Sequence, residues 1–328
     1  MKRFAIGVDL GGTNLRVAAV DDAGVLLDRI SLATRSQQQR EAVIREMCDS
    51  IVALRSKLPP AEQLVGIGVG VPGIIYVATG TLRQSPNLPG WENFPVRQEL
   101  EQALGTRVLL DNDANVAALG ELWLGAGRET SSLCMLTLGT GVGGGLIFDG
   151  KIWRGFLGFA GEVGHIVVAE NGIPCPCGGA GCLETETSAS AIVRKARQLL
   201  QDKKTPGLAQ AISAGRELTA ELVFETALAG DDSCREVLAS VGRYLGIGLA
   251  GLVNSLNLPL YVIGGGAAAA WDLFSPAMFA ELRRRSYIFC EGATRVEKAV
   301  LGGDAGLYGA ARLAFLCESG PGELPEAG

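Results

Sequence analysis

Phe4-Ala-Ile-Gly-Val-Asp9, Leu10-Gly-Gly-Thr-Asn14, Leu15-Arg-Val-Ala-Ala-Val20 reads as a strand, a glycine turn and a second strand. Asp21-Asp-Ala-Gly24 then turns the chain into a third strand near Val25 to Leu32. The pair Gly11 and Gly12 therefore sits in a β-hairpin and does not open a helix. Its backbone N–H groups and the Thr13 hydroxyl can form a small anion cradle, and Asp9 ends the apolar strand immediately before it. The pattern starts again after Ser131. Leu133 to Leu138 is a strand, Gly139-Thr-Gly-Val-Gly-Gly-Gly145 a glycine turn and Leu146 to Phe148 a strand. Asp149-Gly150 is a hairpin signal leading into Lys151 to Trp153. Gly139, Gly141 and Gly144 match the letters of a dinucleotide G-x-G-x-x-G, but that motif must open a helix, and here a strand follows. No Gly-Lys-Ser/Thr occurs, so a P-loop is excluded as well.

Outward from the first hairpin, Ile44, Met47, Cys48, Ile51 and Leu54 form one face of a helix over residues 41–56. Leu64 to Val71 is a buried strand stopped by Pro72-Gly73. The loop Ser85-Pro-Asn-Leu-Pro-Gly-Trp91 combines turn residues with Asn87 and Trp91, the mix expected of a loop that touches a ligand. After a short helix around Val96 to Leu104, the strand Arg107 to Asp111 delivers Asn112-Asp-Ala-Asn115 to a helix ending near Leu124. Asp113 then lies at the positive end of that helix, where a carboxylate is favoured, and Asn112 or Asp113 suits its N-cap. Beyond residue 186 the expected elements are a helix from Thr187 to Leu200, a polar excursion from Gln201 to Glu217 and a helix from Ala220 to Ala229. An apolar helix around Val237 to Val253 and the strand Leu260 to Ile263 follow, the latter stopped by Gly264-Gly-Gly266. A short strand near Val296 to Val300, Gly302-Gly303 and a helix from Ala305 to Leu316 complete the order. The Gly/Pro/Glu-rich stretch 318–328 is predicted to be disordered.

The chain is most explicit about chemistry between Gly161 and Glu184. That stretch holds His165, the single histidine, with Cys175, Cys177 and Cys182, three of eight cysteines. Three thiolates and an imidazole make the tetrahedral Cys3His set that structural zinc prefers, and four protein ligands leave no open position for activating water. Glu162 and Glu184 flank this loop, so a metal there would fix both carboxylates.

Composition bounds the function. At 328 residues, 48% hydrophobic and 20% charged, the chain is a well-packed protein of more than one average domain. Net charge −6 and pI near 5.1 argue against a nucleic-acid surface. The cysteines show no disulfide framework, which fits a reducing cytoplasm. The apolar stretch Tyr244 to Val253 is too short to span a bilayer and reads as a buried helix. Two hairpins, each around a glycine turn, suit a triphosphate gripped between two domains. Such an arrangement implies phosphoryl transfer by positioning, with a single carboxylate to take the acceptor's proton.

From Asp9-Leu-Gly-Gly-Thr-Asn14 to Gly302-Gly-Asp-Ala-Gly306 the chain closely resembles the ROK family of sugar kinases and repressors. The most specific marks are Glu162-Val-Gly-His165 and Cys175-Pro-Cys-Gly-Gly-Ala-Gly-Cys182-Leu-Glu184. The resemblance implies an α/β chain with the duplicated actin/hexokinase-like (ribonuclease H-like) ATPase fold, two domains around a cleft. A small domain of residues 1–117, joined by a C-terminal helix over about 308–317, would face a large domain of 118–307 that carries the zinc loop. It implies Asp113 as catalytic base. Asn87, Asn112, Asp113, Glu162, His165 and Glu184 would contact the sugar, with His165 also on zinc. Asp9, Gly11, Gly12, Thr13, Asn14, Gly139, Thr140, Gly141, Gly264, Gly265 and Gly266 would hold the nucleotide. The implied ligands are ATP with Mg2+, a hexose and one structural Zn2+; the implied state is a cytoplasmic homodimer, with no nucleic acid and no membrane. The family's repressors carry an N-terminal helix-turn-helix, and this sequence runs straight into its first strand, so a kinase is expected. Asn87-Leu-Pro-Gly-Trp91 with an intact zinc loop most resembles the family's glucokinases. N-acetylmannosamine, allose or fructose kinases, and a non-catalytic sugar sensor, are the alternatives. Asp111 stands where members often carry glutamate, beside the site, with little expected consequence.

Overall fold

The computed structural model describes residues 2–34, 39–59 and 62–316; the stretch 318–328 lies outside the described residues. The elements are β1 (Arg3–Leu10), β2 (Asn14–Asp21), β3 (Leu26–Ala33), α1 (Arg40–Ser56), β4 (Gln63–Val71), β5 (Ile74–Tyr76), β6 (Thr81–Gln84), α2 (Val96–Leu104), β7 (Val108–Asn112) and α3 (Asp113–Leu124). They continue with β8 (Leu133–Leu138), β9 (Val142–Phe148), β10 (Lys151–Ile152), α4 (Leu183–Thr187), α5 (Ala189–Gln201), α6 (Pro206–Ser213), α7 (Ala220–Leu228) and α8 (Asp232–Leu256). Last come β11 (Leu260–Gly264), α9 (Trp271–Arg285), β12 (Arg295–Lys298) and α10 (Ala305–Leu316).

One five-stranded sheet has the order β3-β2-β1-β4-β7, and a second has β10-β9-β8-β11-β12. Each is therefore third, second, first, fourth, fifth in its own numbering, so the repeat read from the two hairpins is a repeat of sheet topology. In the first sheet β1–β2 and β2–β3 are antiparallel, while β1–β4 and β4–β7 are parallel. The parallel pairs place the ends of β1, β4 and β7, which carry Asp9, Val71 and Asn112, on one sheet edge. Contacts divide the chain into two compact units. One comprises 1–135, 145–161 and 300–328, the other 136–144 and 162–299.

Alternation along β1 explains how the first unit builds two cores. Phe4, Ile6, Val8 and Leu10 join Val43, Met47, Ile51 and Leu54 of α1 on one face. Ala5 faces the other way, among Leu307, Ala311, Ala314 and Phe315 of α10. The second face has room for that helix only because two positions lack a side chain. A Cβ on Gly7 or on Gly68 would strike the backbone of α10 at Leu307 or Ala310. The crossing of α3 and α10 is equally close, with Gly120 against Ala305 and Gly309 against Val116. Buried Glu121 finishes the arrangement by accepting N–H bonds from Ala126 (2.8 Å), Val300 (3.2 Å) and Leu301 (2.8 Å).

Several expectations need correction. The glycines 143–145 belong to β9 and not to the turn; Gly145 lies where a side chain would meet Ala114 and Ala118 of α3. The polar excursion contains α6, which starts on Pro206 and buries Leu208. The helix expected from about Thr187 is α5, whose cap Ser188 accepts from Ala191 N–H at 3.1 Å, and the short α4 ahead of it carried no expectation. The hairpin β5–β6 and helix α9, with Pro276 inside it, carried no expectation from periodicity. The apolar helix is longer than its hydrophobic stretch: Asp231 caps it and α8 runs 25 residues. Its length and mean hydropathy of 1.3 would suffice to cross a membrane, but 61% of that window is buried inside the protein, as in a core helix.

Gly309→Val should destabilise the first unit by about 1–3 kcal/mol, the usual penalty for overpacking. Denaturant unfolding of the variant beside the native chain measures this, and an unmoved midpoint would refute the close crossing.

Candidate functional site

At the end of β7 the sequence changes from apolar to Asp111-Asn112-Asp113 because the strand hands over to a helix whose first amides need acceptors. Asn112 supplies them: its Oδ1 accepts from Ala114 N–H (2.8 Å) and Asn115 N–H (3.2 Å), and its Nδ2 donates to Gly73 O (3.1 Å). Asp113 is half-buried at the first position of α3, one carboxylate oxygen accepting from Ala114 N–H at 2.9 Å. Asp111 lies beside this pair, as expected, but it does more than expected. Its carboxylate is completely buried. One oxygen accepts from Arg154 Nε (2.9 Å) and Nη2 (2.6 Å), the other from Asn112 N–H (2.8 Å) and Asn115 Nδ2 (2.9 Å).

The first glycine turn is closed by Gly11 N–H to Asn14 O at 2.8 Å, and Thr34 N–H bonds Thr13 O at 2.7 Å. Asp9 is the next-to-last residue of β1, and burial pushes its carboxyl above the usual range against the opposing pull of Arg16, 2.7 Å away. Arg16 also donates to Gly303 O. Asn87 is exposed and lies against Gly12, where an added Cβ would sit 3.5 Å from it. Trp91 is not a ligand-facing residue. It is 1% exposed and meets the Phe94 ring edge-on at 5.2 Å, so the aromatic of this loop is core.

In the second unit, the ligand atoms of His165, Cys175, Cys177 and Cys182 all lie within 4.8 Å of one another. Cys175 Sγ is 3.6 Å from His165 Nδ1, and Cys177 Sγ is 3.7 Å from Cys182 Sγ. Zinc–sulfur bonds of about 2.3 Å in a tetrahedron require sulfur–sulfur edges of roughly 3.8 Å, so the donor set fits such an ion. Positive φ at Gly178 (96°) and Gly181 (70°) lets the loop turn between ligands. Burial raises the Cys175 thiol and pushes Cys182 up to about 12, whereas a bound cation deprotonates its thiols outright. With Nδ1 turned to the cysteines, His165 directs Nε2 towards Glu162 Oε2 at 3.9 Å. Partial desolvation, and then the charge of Glu184, raise the Glu162 carboxyl against the pull of His165.

Glu184 lies in the first turn of α4 and accepts from Val142 N–H at 2.9 Å. The second glycine turn is also held from α5, by Ala189 N–H to Gly139 O and Ser190 Oγ to Thr140 O, both 2.8 Å. At the third, Gly264 ends β11 and Gly265 has φ 83°; a side chain on Gly265 would strike the backbone of Leu138. The turns at 139–141 and 264–266 are thus neighbours. A family model described as ROK family matches residues 5–315.

The chain belongs to the ROK family. It is 38% identical over 309 residues to a glucokinase of Halalkalibacterium halodurans, covering 94% of this chain and 93% of that one. Among solved structures it is similar to a ROK family glucokinase from Streptomyces griseus in complex with glucose and AMPPNP, with 32% identity and TM-score 0.81 over 95% of this chain and 99% of that chain. A ROK hexokinase from Thermus thermophilus gives 33% identity and TM-score 0.78 over 98% and 100%. The duplicated actin/hexokinase-like ATPase fold expected from the sequence is the fold of this ROK protein.

Arg154, Arg16 and Val142 escaped the sequence reading. Nothing local marks them: Arg154 meets Asp111 across 43 positions, and Val142 acts through its backbone. Removing Arg154 strands a buried charge, so Arg154→Ala in this ROK chain should cost about 3 kcal/mol of stability, and Arg154→Lys less. Thermal unfolding of the two variants checks the order.

Proposed function

We propose that this ROK protein is an ATP-dependent glucokinase that converts glucose to glucose 6-phosphate. The observation that carries the reading is the end of β7, where Asn112 is fixed by three hydrogen bonds and Asp113 stands at the positive end of α3. A carboxylate held there can take the proton of an acceptor hydroxyl while the helix terminus favours its charged form. Similarity over nearly the full length to proteins named glucokinase favours glucose over N-acetylmannosamine, allose or fructose. A non-catalytic sugar sensor would have no need of Asp113.

In this reading Asp113 is the base. Asn87, Asn112, Glu162, His165 and Glu184 hold sugar hydroxyls, with His165 using Nε2 because Nδ1 faces the cysteines. Asp9 and Gly11 to Asn14, with Gly139 to Gly141, take the phosphates, and Gly264 to Gly266 the adenosine. Mg2+ would arrive with ATP and neutralise charge developing on its phosphates. Zinc held by His165, Cys175, Cys177 and Cys182 would be structural, ordering the loop that bears Glu162 and Glu184. A cytoplasmic glycolytic role fits the seven free cysteines among the described residues. A homodimer is the assembly expected of the family.

Coupled ADP release over a small hexose panel tests the activity, with glucose expected to be turned over fastest; glucose binding without ADP release would make the chain a sensor. Asp113→Asn should retain glucose binding and lose about 10²–10⁴-fold in kcat. A kcat within a few fold of native would remove Asp113 from the role of base. Metal analysis should find about one zinc per chain, the content of a closed four-ligand site. Cys177→Ser should lower both the metal content and the sugar affinity.

A further inference from the structure

Glu184 is assigned above to the sugar, yet its carboxylate is bonded to the turn assigned to the nucleotide. One carboxylate oxygen accepts from Val142 N–H at 2.9 Å, immediately after Gly141. Gly141 itself lies against the Glu184 carboxylate, which a Cβ there would have to displace. The same residue is approached closely from another direction. Gly164, one residue before the metal-set histidine, lies so close to the Val142 carbonyl that a Cβ on it would strike that oxygen. Val142 therefore lies against both arms of the loop that His165 and Cys182 close: its N–H is bonded to Glu184, and its C=O is packed against Gly164. The start of α5, five residues beyond Glu184, fixes the carbonyls of Gly139 and Thr140. The stretch 139–142 is thus bonded to Glu184 at one end and to the start of α5 at the other.

We propose that Glu184 is a positioning residue for the nucleotide turn, with one oxygen committed to Val142 N–H and the other left for the sugar, so that the cysteine–histidine loop sets nucleotide affinity even when no sugar is present. A turn that binds phosphate through backbone N–H groups works only while those groups converge. Fixing the neighbouring peptide removes an ordering cost that the nucleotide would otherwise bear. The inference rests on the kinase reading, since it needs the 139–141 turn to hold phosphate. It departs from that reading in one consequence. If Glu184 served the sugar alone, deleting it would leave nucleotide binding unchanged, or strengthen it by removing a negative charge beside an anion site.

Calorimetric titration of Mg2+–AMPPNP into the sugar-free protein separates these cases. Glu184→Gln keeps an oxygen that can accept from Val142 while losing the charge, and should bind AMPPNP within about twofold of native. Glu184→Ala loses the acceptor and should bind about tenfold more weakly, the scale of one hydrogen bond to a charged group. Glu184→Asp keeps the charge but is one methylene short, and should resemble Glu184→Ala; it stands in for the alanine variant should that one fail to fold. Alanine and aspartate variants that bind as tightly as native, or more tightly, would overturn the proposal and leave the kinase reading intact. A native chain that binds no AMPPNP would overturn the kinase reading and this inference with it.

Discussion

The carboxylate of Asp111 is the constraint on which the first unit's chemistry depends. A charge with no solvent exposure is tolerable only when donors surround it, and this one has four. Two of the donors belong to the residues that follow it, so satisfying the charge also fixes the Asn112 backbone and the Asn115 side chain. Asn112 in turn caps α3, and the cap decides where Asp113 stands. Ion pair, strand end, helix cap and the carboxylate proposed as base form one chain of hydrogen bonds, in which each link removes freedom from the next. The shorter side chain of aspartate at this position holds Asn112 N–H and the Arg154 guanidinium at normal hydrogen-bond lengths.

The second unit solves a related problem in a loop with little regular structure. Residues 162–184 contain little regular structure: one 3-10 turn, two isolated bridges and the start of α4. Their order comes from cross-links, namely the cysteine–histidine cluster and the bonds from Glu184 and α5 to the 139–142 turn. Such a loop can present carboxylates at fixed positions while remaining exposed enough to meet a small polar substrate. Glycine has a separate part in each unit. Gly7, Gly68, Gly120 and Gly309 let backbones approach around α10, whereas Gly141 and Gly164 clear the space that Glu184 and Val142 occupy.

The sequence by itself determined the repeat, the element order up to β4, the cysteine–histidine cluster and the residues of the β7–α3 junction. Each is written locally: alternation gives a strand, paired glycines a turn, an Asn-Asp step a helix start, and three cysteines gathered near a lone histidine a ligand cluster. Local patterns failed where burial or backbone, not side-chain type, made the decision. Trp91 reads as a surface aromatic until the fold covers it. Gly143 to Gly145 read as a turn until α3 lies across the strand. Only the tertiary structure decided the partners of Asp111 and Glu184, because one is an arginine 43 positions away and the other a peptide N–H that no letter of the sequence records. Periodicity reports how a residue sits on its own element; which distant group satisfies a buried charge is settled when the elements come together.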